Sequence, residues 1–149
     1  MNRLWAVAAF AAVTALGIGQ APRALADTVD APKPAGKYHI VFHVSENNPA
    51  QWNLALNNAF AFQKNQGKDN SEIEIVAIGP GLNMLKADSK VADRIAQALD
   101  RSVDVVACGE TMQAMKVGKG DLVGGVRVVP GGLLEIVNRQ RAGWSYIRP

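Results

Sequence analysis

Short apolar runs alternate with helical patterns along the chain from Tyr38 to the C-terminus. The runs are rich in β-branched and aromatic residues, which is typical of strands. Five strands are predicted, at residues 38–44, 72–78, 103–107, 126–129 and 144–147. Strands that alternate with helices are typical of a parallel sheet covered on both faces. The pattern therefore predicts an α/β fold, a three-layer α/β/α sandwich around a mostly parallel five-stranded sheet.

Four helices are predicted between these strands. The first begins with Asn48 as its cap and Pro49 in its first turn. The second is capped by Ser89, the third covers about 110–117, and the fourth ends near 142–143. The first helix carries large apolar residues on more than one face, which favours burial against a partner as well as against the core. These residues are Trp52, Leu54, Leu56, Phe60 and Phe62.

The first 26 residues have the layout of a secretory signal. A short positive start precedes an apolar run at 4–18, and the ALA sequence at 24–26 has the small-x-small pattern of a cleavage site. The apolar run is shorter than a membrane span, so an uncleaved anchor is the less favoured alternative. We expect cleavage after Ala26 and a periplasmic or secreted mature protein with no membrane segment. The predicted organisation is a signal peptide at 1–26, a flexible leader at 27–36 and one domain at 37–149.

Removal of the signal lowers the net charge. Arg3 and Arg23 leave with it, so 14 basic residues face the 13 acidic ones and the formal charge falls from +3 to +1. No Lys/Arg cluster remains to meet a phosphate backbone, and nucleic-acid binding is therefore not expected. The remaining roughly 120 residues suffice for one modest core.

Small and polar residues follow the predicted strands, where open parallel sheets bind their ligands. The candidates are His43, Asn47, Asn83, Cys108, Gly109, Glu110 and Thr111. Residues 79–81 (GPG) do not continue into a phosphate-binding motif, so no cofactor is expected. The chain has two His and one Cys, which does not support a metal site.

Cys108, the only cysteine, is the strongest candidate for chemistry. A thiol just before a helix start faces unpaired backbone N–H groups, which favour the reactive thiolate. Gly109 is expected to leave room for a reactant at the sulfur, whereas an inward-pointing Glu110 would oppose the thiolate. The alternative is an inert packing cysteine, since free cysteine is among the most buried residue types.

The other candidates also have two interpretations. His43 can serve as a proton carrier near the thiol or can simply be a hydrogen-bonded strand residue. Asn47 and Asn83 can orient a ligand, although each also has an explanation as a turn or cap residue. Gly109, Glu110 and Thr111 complete the predicted binding set.

Four segments together resemble the DsrE/DsrF-like family of sulfur-relay proteins, and in particular an exported branch of it. They are HVSENNPAQWNLALNN, AIGPGLNMLKADS, VVACGETM and GWSYIRP, and the resemblance covers 37–149. It implies an α/β/α sandwich that assembles into trimers or hexamers. It also implies a cysteine after the third strand that carries a persulfide to a partner, and Cys108 occupies the matching place. The relay proteins work in the cytoplasm in mixed complexes, whereas this chain is expected to be exported.

Three functions are compatible with these residues. The first is a periplasmic sulfur carrier or sulfurtransferase, which takes sulfur onto Cys108 from a donor protein or a small sulfane-sulfur compound and passes it to an acceptor. The second is a non-catalytic homo-oligomeric module that binds a small ligand or a protein and keeps Cys108 as a packing residue. The third is a redox sensor that forms a disulfide between chains.

Overall fold

The computed structural model describes residues 36–149; the predicted signal peptide and the leader up to residue 35 lie outside the described residues. The described strands are β1 (Tyr38–Val44), β2 (Ser71–Ala77), β3 (Asp104–Cys108), β4 (Arg127–Val129) and β5 (Ser145–Ile147). The α-helices are α1 (Pro49–Gln66), α2 (Ala92–Asp100), α3 (Gly109–Met115) and α4 (Gly132–Arg141). No helix within residues 36–149 is both long and apolar enough to cross a bilayer.

The five strands form one sheet in the order β4-β3-β2-β1-β5, and every neighbouring pair is parallel. This confirms the predicted α/β sandwich around a parallel sheet. Because strand side chains alternate between the two faces, β1, β2 and β3 each contribute to two separate cores. The two faces differ in what covers them.

The larger core lies on the face covered by α1 and α2. Phe42, Ile75 and Val105 supply its sheet layer, and Leu56 and Ile95 pack on them from the two helices. All five are almost fully buried. Burial of large aliphatic and aromatic side chains on this scale is the main driving force for the fold.

The smaller core lies on the opposite face, beneath α4. It joins one residue of each of four strands to Ile136 of the helix: Val41, Val76, Val106 and Val129. In the described part of the chain, α4 is the one helix that contributes to this core. The position of α4 on the sheet therefore rests on few apolar contacts.

The predicted element boundaries are close to the observed ones, with one instructive difference. Ser89 does not cap α2, which begins at Ala92. Instead, the Ser89 hydroxyl accepts the Val91 N–H and its carbonyl accepts the Ala92 N–H, so Ser89 closes a turn just before the helix. The GPG segment opens a 3₁₀ helix at Gly79–Leu85.

The exposed apolar surface lies mainly on α4 and not on α1. Of the predicted multi-faced set on α1, Trp52 and Leu56 are buried, and only Leu54 is substantially exposed. On α4, by contrast, Leu133 is 67% exposed and Leu134 62% exposed. The helix turns its leucines outward because its inward positions carry the small and charged residues described below.

Candidate functional site

Cys108 lies in a crevice between the carboxyl ends of β3 and β4. The two connections that leave these strands diverge: α3 sends Met112 into the larger core, whereas α4 sends Ile136 into the smaller one on the other face. In open α/β sheets, such a divergence between neighbouring strands marks the usual ligand-binding position. The predicted placement of the thiol at this edge agrees with the observed topology.

The Cys108 sulfur is held by hydrogen-bond donors. The backbone N–H of Gly132, the first residue of α4, donates to Sγ over 3.2 Å. Burial raises the pKa of the thiol, but hydrogen bonds from the Thr111 hydroxyl and from the N–H groups of Gly132, Thr111 and Glu110 outweigh this effect and lower the pKa below its ordinary value. The surroundings of the sulfur therefore favour the thiolate.

Thr111 is itself fixed in place. Its hydroxyl oxygen accepts the N–H of Gly79 over 3.0 Å, across a separation of 32 residues. Because a hydroxyl has one donor and two acceptor positions, this contact leaves its hydrogen available for the sulfur. Gly79, at the start of the 3₁₀ helix after β2, thus orients the Thr111 hydroxyl that stabilises the Cys108 thiolate at the end of β3.

The sulfur is covered in this structure. Cys108 is only 2% exposed, and Gly132 at the start of α4 packs against both its Sγ and its Cβ. The prediction that Gly109 leaves room for a reactant is wrong for this conformation, because a Cβ on Gly109 would lie 2.9 Å from the Val129 carbonyl oxygen. The glycine allows two backbone segments to approach each other, and the Glu110 N–H bonds the Pro130 carbonyl across the same gap.

The Glu110 carboxylate does not point inward toward the sulfur, where it would oppose the thiolate. The residue is exposed, and its carboxylate oxygens lie beside Gly131, at the rim of the crevice. Its effect on the thiol comes from its backbone N–H, which lowers the pKa of Cys108. Thr111 and the backbone N–H of Glu110 thus both lie beside the sulfur, and a binding role for these two residues stays a prediction.

His43 is not brought to the thiol. Its Nδ1 forms a 2.8 Å hydrogen bond with the Tyr146 hydroxyl on β5, on the opposite side of β1 from β3. β2 separates β1 from β3, so the two strands lie about 10 Å apart. Burial and the charge of Arg148 lower the pKa of His43. The geometry accounts for His43 as a hydrogen-bonded strand residue and gives it no contact with Cys108.

Asn47 and Asn83 line one shared cavity of about 320 Å³ at the carboxyl ends of β1 and β2. Trp52 and the lysines Lys86 and Lys90 also face it. The structure therefore brings these two predicted binding residues together, but Cys108 is not among the residues that line the cavity. The helix cap of α1 is the neighbouring residue, Asn48, whose side chain accepts the Ala50 N–H.

A partly exposed ionic cluster beneath α4, built around the buried Glu74, escaped the sequence analysis. It consists of Glu74 of β2, Asp104 of β3, Arg127 of β4, and Glu135 and Arg139 of α4. A polar residue at an inward strand position, as in EIEIVAI, is the one signal that pointed to it. Within residues 36–149, no three His, Cys, Asp or Glu side chains are grouped so as to hold a metal ion.

Comparison with known proteins gives a family and a fold. The DsrE/DsrF-like family matches residues 36–149. A protein of unknown function from Methanobacterium thermoautotrophicum, MTH1491, is 34% identical, with a TM-score of 0.73 over 76% of this chain and 100% of that one. A comparison with curated proteins gives no match.

Two more distant structures show the same fold. The ychN protein from E. coli is 15% identical, with a TM-score of 0.64 over 75% of this chain and 99% of that one. BT1422, a conserved protein of unknown function from Bacteroides thetaiotaomicron, is 17% identical, with a TM-score of 0.62 over 74% of this chain and 93% of that one. At these identities the likeness concerns the fold alone.

Proposed function

The chain belongs to the DsrE/DsrF-like family, and from that membership and the surroundings of Cys108 we propose that it is a sulfur carrier that holds a persulfide on this cysteine. The family is linked to sulfur relay. The observation that carries the proposal is the set of N–H and hydroxyl donors around the sulfur, which lowers the pKa of the thiol. Thiolate is the nucleophile in sulfur exchange.

The proposed reaction has two displacement steps. In the first, the Cys108 thiolate attacks the outer sulfur of a polysulfide or thiosulfate; a new S–S bond forms, and the donor's S–S bond breaks with its electron pair leaving on the shortened polysulfide or on sulfite. In the second, an acceptor thiolate attacks that outer sulfur and restores the Cys108 thiolate. No external oxidant or reductant is consumed. The same N–H donors stabilise the anion that begins and ends the cycle.

Access to the sulfur is part of the proposal. Because Cys108 is buried against Gly132, the segment at 130–132 moves aside when a donor binds. It contains Pro130, Gly131 and Gly132, and it joins the three-residue strand β4 to α4. During this motion, the Gly132 N–H either breaks its hydrogen bond to the Cys108 sulfur or donates instead to the outer sulfur of the persulfide.

Mass spectrometry of the purified protein tests the relay. After incubation with polysulfide or thiosulfate, we expect a gain of one sulfur atom that a reductant removes. Cys108→Ser is the matched control and should gain nothing. A protein that gains no sulfur, or a Ser variant that gains the same mass, would reject the proposal.

A non-catalytic binding module is the second candidate, and the burial of Cys108 is the observation that favours it. In this alternative, the sulfur packs beneath α4 and the cavity lined by Asn47 and Asn83 binds a ligand. Cys108→Ala would then preserve ligand binding, and the folded wild-type protein would resist a small maleimide. Rapid alkylation of the folded protein would argue against this candidate.

We further propose that the mature chain starts at Asp27, works in the periplasm or outside the cell, and assembles into a homo-oligomer. The export signal supports the first two statements. The outward Leu133 and Leu134 support the third, since large exposed apolar residues mark contact surfaces. N-terminal sequencing of the exported protein tests the cleavage, and light scattering of wild type against Leu133→Glu tests the assembly.

A further inference from the structure

The ionic cluster and the thiol contact lie at the two ends of the same helix. Gly132 begins α4 and donates to the Cys108 sulfur, and Arg139, seven residues later, binds the buried Glu74 of the cluster. At 1.5 Å per residue, the two contacts are about 10 Å apart along the helix axis. Whatever fixes the far end of α4 therefore also fixes where its first N–H group points.

The inward stripe of α4 accounts for both contacts. Gly132, Glu135, Ile136 and Arg139 follow one another at the three- and four-residue spacing of a single helix face. Gly132 fits closely, since a Cβ there would lie 2.8 Å from Ile78 Cγ1 and 2.9 Å from the Cys108 Cβ. Because the other inward positions hold Gly132 and the charged Glu135 and Arg139, Ile136 makes the one buried apolar contact of α4.

The cluster is centred on Glu74. This carboxylate is completely buried; its Oε2 forms an ion pair with Arg139 over 2.6 Å and accepts a hydrogen bond from Arg127 over 3.1 Å. Glu135 of α4 binds the same two arginines over 3.1 Å and 3.0 Å, and Asp104 binds Arg127 over 2.7 Å. The sheet and the helix thus share two guanidinium groups.

Orientation explains this cluster better than stability does. Replacing buried ion pairs by apolar residues is often neutral or stabilising, so such pairs are weak sources of stability. Here the Glu74 Oε1 is buried with no hydrogen-bond partner within residues 36–149, which adds a cost. Guanidinium–carboxylate contacts are directional, and Ile136 is the one buried apolar side chain that α4 adds to this face.

We propose that Glu74, with Arg127 and Arg139, positions the Cys108 thiol from a distance, because the cluster fixes α4 on the sheet and so keeps the Gly132 N–H on the sulfur. Glu74 is a positioning residue and makes no contact with the thiol. Glu74 pairs with Asp104 in the sheet, and Asp104 precedes Cys108 by four residues on β3. Glu74 and Cys108 are therefore about 13 Å apart along the strand direction. The proposal adds a remote component to the proposed sulfur site.

The sign of a thiol pKa shift separates positioning from direct electrostatics. Glu74→Gln removes a negative charge, which by Coulomb's law alone stabilises the thiolate and lowers the pKa of Cys108. A loosened α4 weakens the Gly132 hydrogen bond and raises this pKa. We expect a rise of about 0.5 to 1 unit, because hydrogen bonds to a charged group are the stronger ones. The ultraviolet absorbance of the thiolate, followed against pH, gives the value.

Glu72→Gln is the matched control. Glu72 lies two residues earlier on the same strand and face, but it binds Lys37 and His39 and neither arginine of the cluster. It should leave the thiol pKa unchanged or lower it slightly. An unchanged or lowered pKa in Glu74→Gln would overturn the proposal.

Arg139→Met provides a second route if Glu74→Gln does not fold. The loss of its positive charge raises the thiol pKa in either case, so the discriminating measurement is hydrogen exchange of the Gly132 N–H, which only a displaced helix exposes. Faster exchange of this N–H in Arg139→Met supports positioning, and an unchanged exchange rate overturns it. The inference rests on the proposed role of Cys108 only for its biological meaning. A raised thiol pKa in Glu74→Gln, in a protein that forms no persulfide, would support the positioning role and reject the relay. An unchanged thiol pKa in a protein that does form a persulfide would reject the positioning role and support the relay.

Discussion

The N–H of Gly132 donates to the sulfur of Cys108 over 3.2 Å and joins two residues that are 24 positions apart in the chain. The first ends β3 and the second begins α4, so the contact closes the crevice between β3 and β4. It stabilises a thiolate and covers it at the same time. Both properties of the site, the lowered thiol pKa and the limited access, depend on where α4 begins.

Gly132→Ala tests this close fit. The new Cβ would overlap Ile78 and the Cys108 Cβ, so the helix start must shift. We expect a loss of about 1–3 kcal/mol in the free energy of unfolding, measured by urea denaturation, because overpacking costs roughly this much. Gly124→Ala is the control, since a Cβ there meets no atom within 4 Å. Equal stability of the two variants would show that the crevice is looser than described.

Thr111→Val separates the hydroxyl from the shape of its side chain. The variant removes a hydrogen bond that lowers the pKa of Cys108 and leaves the Gly79 N–H without its acceptor. We expect a higher thiol pKa and a stability loss of about 1–3 kcal/mol for the unpaired donor. Thr111→Ser keeps the hydroxyl and should restore most of both. If Val and Ser variants have the same thiol pKa, the hydroxyl plays no part at the sulfur.

Glu74 makes stability depend on pH in a direction opposite to that of most carboxylates. Burial, opposed by Arg139, raises its pKa from the ordinary 4.5 to about 7. The folded state therefore binds this proton more tightly than the unfolded one, and the associated stability is complete below pH 4.5 and is lost as the pH rises through about 7.

The stability difference between wild type and Glu74→Gln isolates this contribution, because the amide does not titrate. From urea unfolding across that pH range, we expect the wild type to lose free energy of unfolding relative to Glu74→Gln as the pH rises, by an amount on the order of 3 kcal/mol. The groups that face Glu74 are Asp104, Arg127, Glu135 and Arg139. A difference that is independent of pH would mean that these arginines keep Glu74 ionised throughout.

His43 should titrate low and independently of the thiol. Burial and Arg148 lower its pKa, so an NMR titration should give a midpoint below 6.5, and Arg148→Met should raise that midpoint. His43→Asn should leave the thiol pKa of Cys108 unchanged, because β2 lies between them. A thiol shift as large as that of Thr111→Val would place His43 back in the site.

The order of elements could be predicted from the sequence because periodicity is a local property. YHIVFHV and EIEIVAI show their strand character within seven residues each, and Asn48-Pro49 marks its helix start without help from the rest of the chain. The thiol position at the sheet edge followed from the same reasoning. Ser89 misled because its hydroxyl closes a turn three residues before the helix.

The closure of the crevice and the ionic cluster could not be predicted, because both depend on distant pairings. In the sequence, the missing side chain of Gly109 suggests free space beside the sulfur, but the backbone at the end of β4 occupies this space. Glu74 and Arg127 are 53 positions apart, and the register of three strands brings them together. The inward charges of α4 also explain why its leucines face outward, which no single-helix pattern reveals.

The pKa of the Cys108 thiol in the folded wild-type protein tests the account most directly. It can be measured from the pH dependence of thiolate absorbance and checked by the rate of alkylation. The account predicts a midpoint below the ordinary value for a free cysteine, together with alkylation that follows the same midpoint. A midpoint at or above that value would contradict the account, since burial would then outweigh every donor around the sulfur.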